Sequence, residues 1–354
     1  MKVVILTPEM RIGGTCRDAV EWANRLVAGG DEVTMIALSS EGEGAARLTP
    51  GVRCEGLGGG RAVASVFGLL RKLRRHPSAV ILANAGTLAG LAIIFRRLGL
   101  IRNRIIFVDP FNPADTFRRG AKTAFIYRWL LWRADAFVHL SVFAERVHLS
   151  LGLSKAKSFV VPNIATESNE ADVRALTGLP LRLIAVGRLD AIKGFDRLIR
   201  AFDMVVDRWP GATLRIVGEG YDRPRLERLI REANLSDSVQ LVGYSADVPG
   251  ELRRADLFVL PSLYEGMPNT LIEALGQGMR AVATPCRGSV RSLMYRLGAA
   301  ELIIAESAFA DDLLRAIEAA LAMPVSAWAD IHERHRAIFE PERNFLQLRK
   351  LLLP

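Results

Sequence analysis

Short apolar runs alternate with longer amphipathic stretches along nearly the whole chain. A pattern that switches repeatedly between a two-residue and a 3.6-residue period reads as strand–helix–strand units, and commits the chain to an α/β fold with parallel sheets. The expected strands of the first half are residues 3–6, 32–38, 79–83, 104–108, 136–140 and 158–161, with a helix over 15–28 closed by Gly29 and Gly30. Those of the second half are 181–186, 214–217, 239–242, 257–260 and 281–284. Their near-continuous Val, Ile and Leu content suits strands covered by helices on both faces.

A length of 354 residues suits two domains. Between the two series of strands lies ATESNEADVRALTGLP, 165–180, polar and without a strand pattern, which marks the linker. The expected architecture is therefore two doubly wound, Rossmann-like domains, 1–164 and 165–334, facing a central cleft. Ligands of such sheets bind beyond the carboxyl ends of the strands, so the residues directly after each strand carry the chemistry.

Composition removes several function classes. Cys16, Cys54 and Cys286 are odd in number, far apart and form no CxxC pair, which argues against a disulfide framework or a zinc site and for a reducing compartment. The opening MKVVILTPEM is too short in apolar residues for a secretory leader, so a cytoplasmic protein is expected. The longest apolar stretch, 79–95, is interrupted by Asn84, Gly86 and Thr87 and falls short of a membrane span. None of the five histidines forms an i, i+4 pair, and no metal is expected.

The net charge of +9 is unevenly placed. Residues 1–164 hold 23 Lys and Arg against 12 Asp and Glu, and 165–354 hold 24 against 26. Within 61–133 the tally is 14 basic to 2 acidic, interleaved with Phe67, Phe95, Tyr127, Trp129 and Trp132. Nucleic acid, an anionic membrane surface or a merely solvated face would each fit. Arginine beside tryptophan and leucine on candidate helices favours the membrane, and no nucleic-acid motif supports the first.

Three strand-to-helix junctions carry candidate ligand groups. After Val186 comes GRLDAIKGFDRLIRAF, which places Arg188 and Lys193 in the loop before a helix whose buried face is Phe195, Leu198, Ile199 and Phe202. Two cations at a helix N-terminus suit a diphosphate, although two solvated loop cations are the plain alternative. After Leu260 comes PSLYEGMPNTLIEALGQG, with Glu265 and Gly266 in the loop and Glu273 near the first turn of a helix opened by Pro268 or Asn269. Carboxylates there suit sugar hydroxyls, or simply complement the helix dipole. After Leu6, Gly13 and Gly14 enter the first helix. No GxGxxG is present, which lowers the odds of a dehydrogenase.

Taken together, IGG at 12–14, ADAFVHLS at 134–141, VGRLDAIKGFDRLIRAF at 186–202, LVGY at 241–244 and ADLFVLPSLYEGMPNTLIEALGQG at 255–278 resemble the retaining glycosyltransferases of family 4, group 1, with the GT-B fold. The resemblance implies that Gly187, Arg188 and Lys193 grip the diphosphate of a nucleotide sugar. Glu265, Gly266 and Met267 would meet the donor sugar, Glu273 the ribose, and Gly243 and Tyr244 the base. Gly14 would approach from the other domain, which would serve the acceptor, and a C-terminal helix from about 335 would cross back to it. Taken with the basic, aromatic first domain, a glycosyltransferase would act on a lipid-linked or cell-surface glycan, as a peripheral protein at the inner face of the plasma membrane. No Asp-x-Asp pair is present, so a leaving diphosphate would be neutralised by Arg188, Lys193 and a helix end instead of a metal. Retention is implied by the family, and no carboxylate nucleophile is assigned.

Several positions depart from that pattern. Asp109 stands where many members carry His, and as a catalytic candidate it would touch the donor hexose or the acceptor. Cys16 replaces a common acid, Arg280 a common Pro, and Arg291 lies near an expected Glu. These leave open a sugar-nucleotide epimerase or phosphorylase of the same fold, or a nucleotide-sugar-binding subunit without catalysis.

Overall fold

Two parallel sheets organise the chain, one of seven strands and one of five. The computed structural model describes residues 1–10, 13–58, 62–110, 125–127, 129–164, 180–305 and 307–353. They fall into two units, Met1–Ile164 with Pro341–Pro354, and Ala165–Glu340. Apart from Pro180, the expected linker at 165–180 lies outside the described residues.

The first sheet contains β1 (Lys2–Leu6), β2 (Glu32–Ala37), β3 (Arg53–Gly56), β4 (Val80–Ala83), β5 (Ile105–Asp109), β6 (Ala136–His139) and β7 (Ser158–Val160), in the order β3-β2-β1-β4-β5-β6-β7. All neighbours are parallel, and β1 sits in register with both flanks, Leu6 opposite Ile36 and Ala83. Helices α1 (Gly14–Ala28), α2 (Ala62–Arg74), α3 (Gly86–Arg97) and α4 (Val142–Ser150) pack on it. Val4, Ile5 and Leu6 are fully buried, which is why β1 reads as an unbroken apolar run.

The second sheet contains β8 (Arg182–Val186), β9 (Thr213–Val217), β10 (Val239–Gly243), β11 (Leu257–Leu260) and β13 (Arg280–Ala283), in the order β10-β9-β8-β11-β13. Strand order reverses between β8 and β11, which creates a switch point where the loops after those two strands diverge. A separate pair, β12 (Tyr264–Glu265) and β14 (Arg287–Gly288), joins the loops that follow β11 and β13. The helices are α5 (Phe195–Arg208), α6 (Arg223–Glu232), α7 (Val248–Arg253), α8 (Asn269–Gly276), α9 (Val290–Leu297), α10 (Phe309–Ala322) and α11 (Val325–Phe339). No helix among the described residues is long and apolar enough to cross a membrane.

The helix expected from about 335 begins later, because the C-terminal segment forms two helices, α11 and one from Pro341. Pro341 has no N–H to continue α11 and instead opens the helix Pro341–Leu352. That helix belongs to the first unit and packs on α1, where Arg349 reaches the buried Asp31 at 3.2 Å. Arg280 begins β13, at the end of the sheet opposite the ligand loops. Its buried guanidinium donates to the carbonyls of Ala320 (2.7 Å) and Met323 (3.1 Å) and lies 5.7 Å from the Trp328 ring. The departure at 280 therefore anchors α10 and α11 and does not touch the donor loops.

Four histidines are buried. His139 Nε2 lies 3.0 Å from Ser158 Oγ, whose hydrogen goes to Glu145 Oε1 at 2.9 Å. His148 Nδ1 donates to Ala144 O at 3.1 Å, and His332 pairs with Met279 O at 3.1 Å. Burial drives His139 and His335 down to about 3 and His148 to about 4, and lowers His332 as well. As pH falls below about 6.5 the unfolded chain takes up protons that these imidazoles refuse, so stability present above that pH is progressively lost towards pH 4. Urea unfolding between pH 7 and pH 4.5 should show the midpoint falling throughout that window, each refused proton contributing up to about 1.4 kcal/mol per pH unit. A flat profile would contradict neutral buried imidazoles.

Candidate functional site

The carboxyl edge of the second sheet is assembled by backbone lying on backbone. Gly187 follows β8 and donates to Val217 O at 3.0 Å. Gly218, at φ +146°, lies so close that a Cβ there would sit 1.9 Å from Gly187 O. A Cβ on Gly220 would sit 2.1 Å from Leu189 O. Gly194, at φ +67°, caps α5 in the left-handed region and abuts Pro261 O, 2.1 Å from where its Cβ would be. Only glycine tolerates those positions. Arg197 donates to the carbonyls of Pro261 and Ser262, and Leu263 N donates to Ile192 O at 2.8 Å, which ties the loop after β11 to the loop after β8.

Onto this frame the loops place charged side chains. Lys193, in the 3-10 turn Ala191–Lys193, extends its stem beside Gly187 and donates from Nζ to Glu265 Oε1 at 2.8 Å. Ser262 Oγ donates to the same oxygen at 2.7 Å, and Glu265 is buried. Arg188 Nε donates to the buried carboxylate of Asp190 at 2.6 Å, while its side chain stays 69% exposed. Asp190 thus fixes the base of an arm whose far end is open to solvent.

Glu265 closes β12, and Gly266 follows it. Ser289 Oγ donates to Gly266 O at 2.7 Å and approaches Met267 Sδ at 3.8 Å, which pins the loop from the β14 side. Helix α8 begins two residues after Met267 with no side-chain cap; Asn269 N donates to Met267 O at 2.9 Å, and the amides of Thr270 and Leu271 have no acceptor within the helix. Such an end is a ready anion site. Glu273 is buried in α8, just past the first turn of a helix that opens at Asn269. Gly243, at φ +88°, accepts from Gly218 N at 2.8 Å, and Tyr244 beside it is half exposed.

Gly187, Arg188, Lys193, Glu265, Gly266, Met267, Glu273, Gly243 and Tyr244 all lie in the second unit, on or beside the loops after β8, β10 and β11. Gly14 and Asp109 belong to the first unit. Gly14 is the exposed first residue of α1. Asp109 ends β5 with its side chain fully buried, and its Oδ2 lies 3.4 Å from His148 Nε2. That carboxylate is turned into the domain, so the structure gives Asp109 a packing partner and not an open face. Ser262, Ser289 and Asp190 escaped the sequence reading. Asp190 is visible in GRLD two residues after Arg188, whereas the serines carry no signal until the loops close on them.

Two family models match the chain, "Glycosyl transferase 4-like domain" over residues 13–164 and "Glycosyl transferases group 1" over 180–322. An uncharacterized glycosyltransferase of Methanocaldococcus jannaschii is 30% identical over 196 residues, covering 52% of this chain and 48% of that one. The amylovoran biosynthesis glycosyltransferase of Erwinia amylovora is 26% identical over 280 residues, 78% of each chain. The chain spans about half the length of the archaeal relative, and less than two thirds of a second curated one. Among solved structures, Anabaena HepE in complex with UDP-glucose superposes with TM-score 0.79 at 17% identity, over 99% of both chains. The shared fold is GT-B, two parallel-sheet α/β domains.

Gly218→Ala should cost more than about 2 kcal/mol of stability, because the added carbon meets a backbone oxygen and the residue must keep a positive φ. Urea denaturation reads this directly, and a variant as stable as the parent would mean that the β8 and β9 loops do not meet as described.

Proposed function

The chain belongs to the glycosyl transferases of group 1, and we propose that it moves a hexose, with retention and without a metal, from a nucleotide diphosphate to a lipid-linked or cell-surface glycan. The observation that carries this reading is the Lys193 ammonium, held 2.8 Å from Glu265, which precedes the uncapped start of α8 in the chain, while the open arm of Arg188 leaves the same loop as Lys193. A diphosphate bound there meets an ammonium, a guanidinium and a row of amides. Glu265, Gly266 and Met267 then face the sugar, Glu273 the ribose, and Gly243 with Tyr244 the base. Binding of UDP-glucose by HepE, of the same fold, supports a uridine nucleotide among the donors to try first.

The chemistry needs little more. As the bond from the anomeric carbon to the diphosphate oxygen breaks, its electron pair goes to that oxygen, and the cations and the helix end stabilise the charge as it grows. The acceptor hydroxyl attacks from the same face, and its proton passes to the departing phosphate, so no side chain need act as nucleophile or base. In this reading Asp109 acts on the acceptor side by shaping the end of β5. The basic composition of residues 1–164 suits work at an anionic membrane surface, with the protein peripheral on its cytoplasmic side.

Sugar transfer from UDP-, GDP- and ADP-sugars to extracted lipid-linked glycans should proceed at an unchanged rate in excess EDTA. Lys193→Ala and Glu265→Ala should each lower kcat by about a hundredfold or more, equivalent to roughly 3 kcal/mol of lost transition-state stabilisation. Loss of turnover in EDTA that is restored by a divalent cation would refute the metal-free route. Full activity of Lys193→Ala would refute the site.

A further inference from the structure

One outer face of the first unit combines exposed aromatic rings with unpaired arginines. The connections from β3 to β4, β4 to β5 and β5 to β6 all step the same way across the sheet, and right-handed crossovers therefore set α2, α3 and the segment before β6 in one layer. Helix α2 packs on α3, and α3 on the 3-10 turn Leu131–Arg133. The inner side of this layer is ordinary core, with Leu69, Leu73, Ile93 and Leu131 buried. Its outer side is not. Phe67 is 68% exposed, Leu98 67%, Phe125 60% and Trp129 46%.

These side chains are arranged with basic ones at helical spacing. Phe67, Arg71 and Arg74 lie at i, i+4 and i+7 on α2, and Ile94, Arg97 and Leu98 share the end of α3. Phe125 stacks on Trp129 with centroids 5.8 Å apart and planes 9° apart, and the Arg133 guanidinium lies 5.0 Å from the Trp129 centroid. Among the described residues Arg71 and Arg97 make no ion pair. An open depression of about 390 Å³ runs from Gly58 to Phe67, Arg71 and Lys72. Stacked rings held in water with cations around them, the acids Glu55 and Asp135 being taken up by Lys72 and Arg96, match a surface that is apolar within and anionic at its edge. A bilayer of acidic lipids has that profile.

We propose that the outer face of α2, α3 and residues 125–127 and 129–133 is the membrane-docking surface, with Phe125, Ile126 and Trp129 entering the headgroup region and Arg71, Arg74 and Arg97 on lipid phosphates. The inference rests on the membrane partner proposed above and adds which face docks and which side chains enter.

Flotation of the full chain with phosphatidylglycerol–phosphatidylcholine vesicles tests it, alongside pure phosphatidylcholine vesicles and a salt series. Wild type should float with the anionic vesicles, lose that binding as salt rises, and show a blue-shifted tryptophan emission. Trp22, Trp209 and Trp328 are buried and Trp132 is half-buried with its indole Nε1 covered, so most of the shift should be lost in Trp129→Phe. Phe125→Ser with Trp129→Ser, and separately Arg71→Glu with Arg97→Glu, should each weaken vesicle binding about tenfold or more. Both should keep the far-UV spectrum, the melting temperature and the hydrolysis rate of the nucleotide-sugar donor. If wild type floats and both variants float equally well, this face is overturned while the membrane partner stands. If wild type floats with no vesicle, the membrane partner falls as well, and donor turnover is untouched by either result. Loss of donor hydrolysis in a folded variant would assign the face to the catalytic machinery and overturn the proposal.

Discussion

Close approach of peptide backbones, possible only where side chains are absent, is the constraint on which the second unit's ligand edge depends. The carbonyl of Gly187 occupies the space beside Gly218, that of Leu189 the space beside Gly220, and that of Pro261 the space beside Gly194. Each contact joins loops that leave different strands. Together with the bonds from Arg197 and Leu263 they make the loops after β8, β9 and β11 a single piece. A long flexible side chain is only as well placed as the backbone that carries it, and these contacts give Arg188 and Lys193 fixed roots.

Charge is managed differently at those two roots. Lys193 is mostly covered and shares Glu265 Oε1 with Ser262, so its ammonium is already compensated in the absence of ligand. A covered cation left unpaired would be costly, and Glu265 removes that cost. Arg188 is open and held only at Nε by Asp190. An anion arriving at the edge therefore meets one cation that must share its partner and one that has donors to spare. This asymmetry suits a diphosphate, which presents two phosphates in unequal settings.

Much of the fold was legible because burial on both faces leaves a simple trace. The apolar runs at 3–6, 214–217 and 257–260 became β1, β9 and β11 with ends displaced by a residue or less. Three strands were not legible. Arg53–Gly56 lies at the sheet edge with little apolar content, and Tyr264–Glu265 and Arg287–Gly288 are too short to show any period. Site residues were found where a loop cation precedes a strong amphipathic helix, as at Arg188 and Lys193. The start of α8 was legible in GMPNT, where Pro268 and Asn269 were the expected openers and Asn269 is the first helical residue. Arg280 showed as an oddity at a motif position, yet its meaning depends on carbonyls forty residues away. Asp109 was read as facing a ligand because it ends a strand, and only the position of His148 on α4 reveals that it faces inward.

The helix Pro341–Leu352 closes the first unit although the whole second unit precedes it in the chain. During synthesis every residue of the opening sheet will have left the ribosome long before Arg349 can reach Asp31. Until then the back of α1 stays bare, its apolar residues available to chaperones. A chain broken off between the second unit and Arg349 would thus leave its first unit unsealed. Quality control could recognise the defect at the end made first.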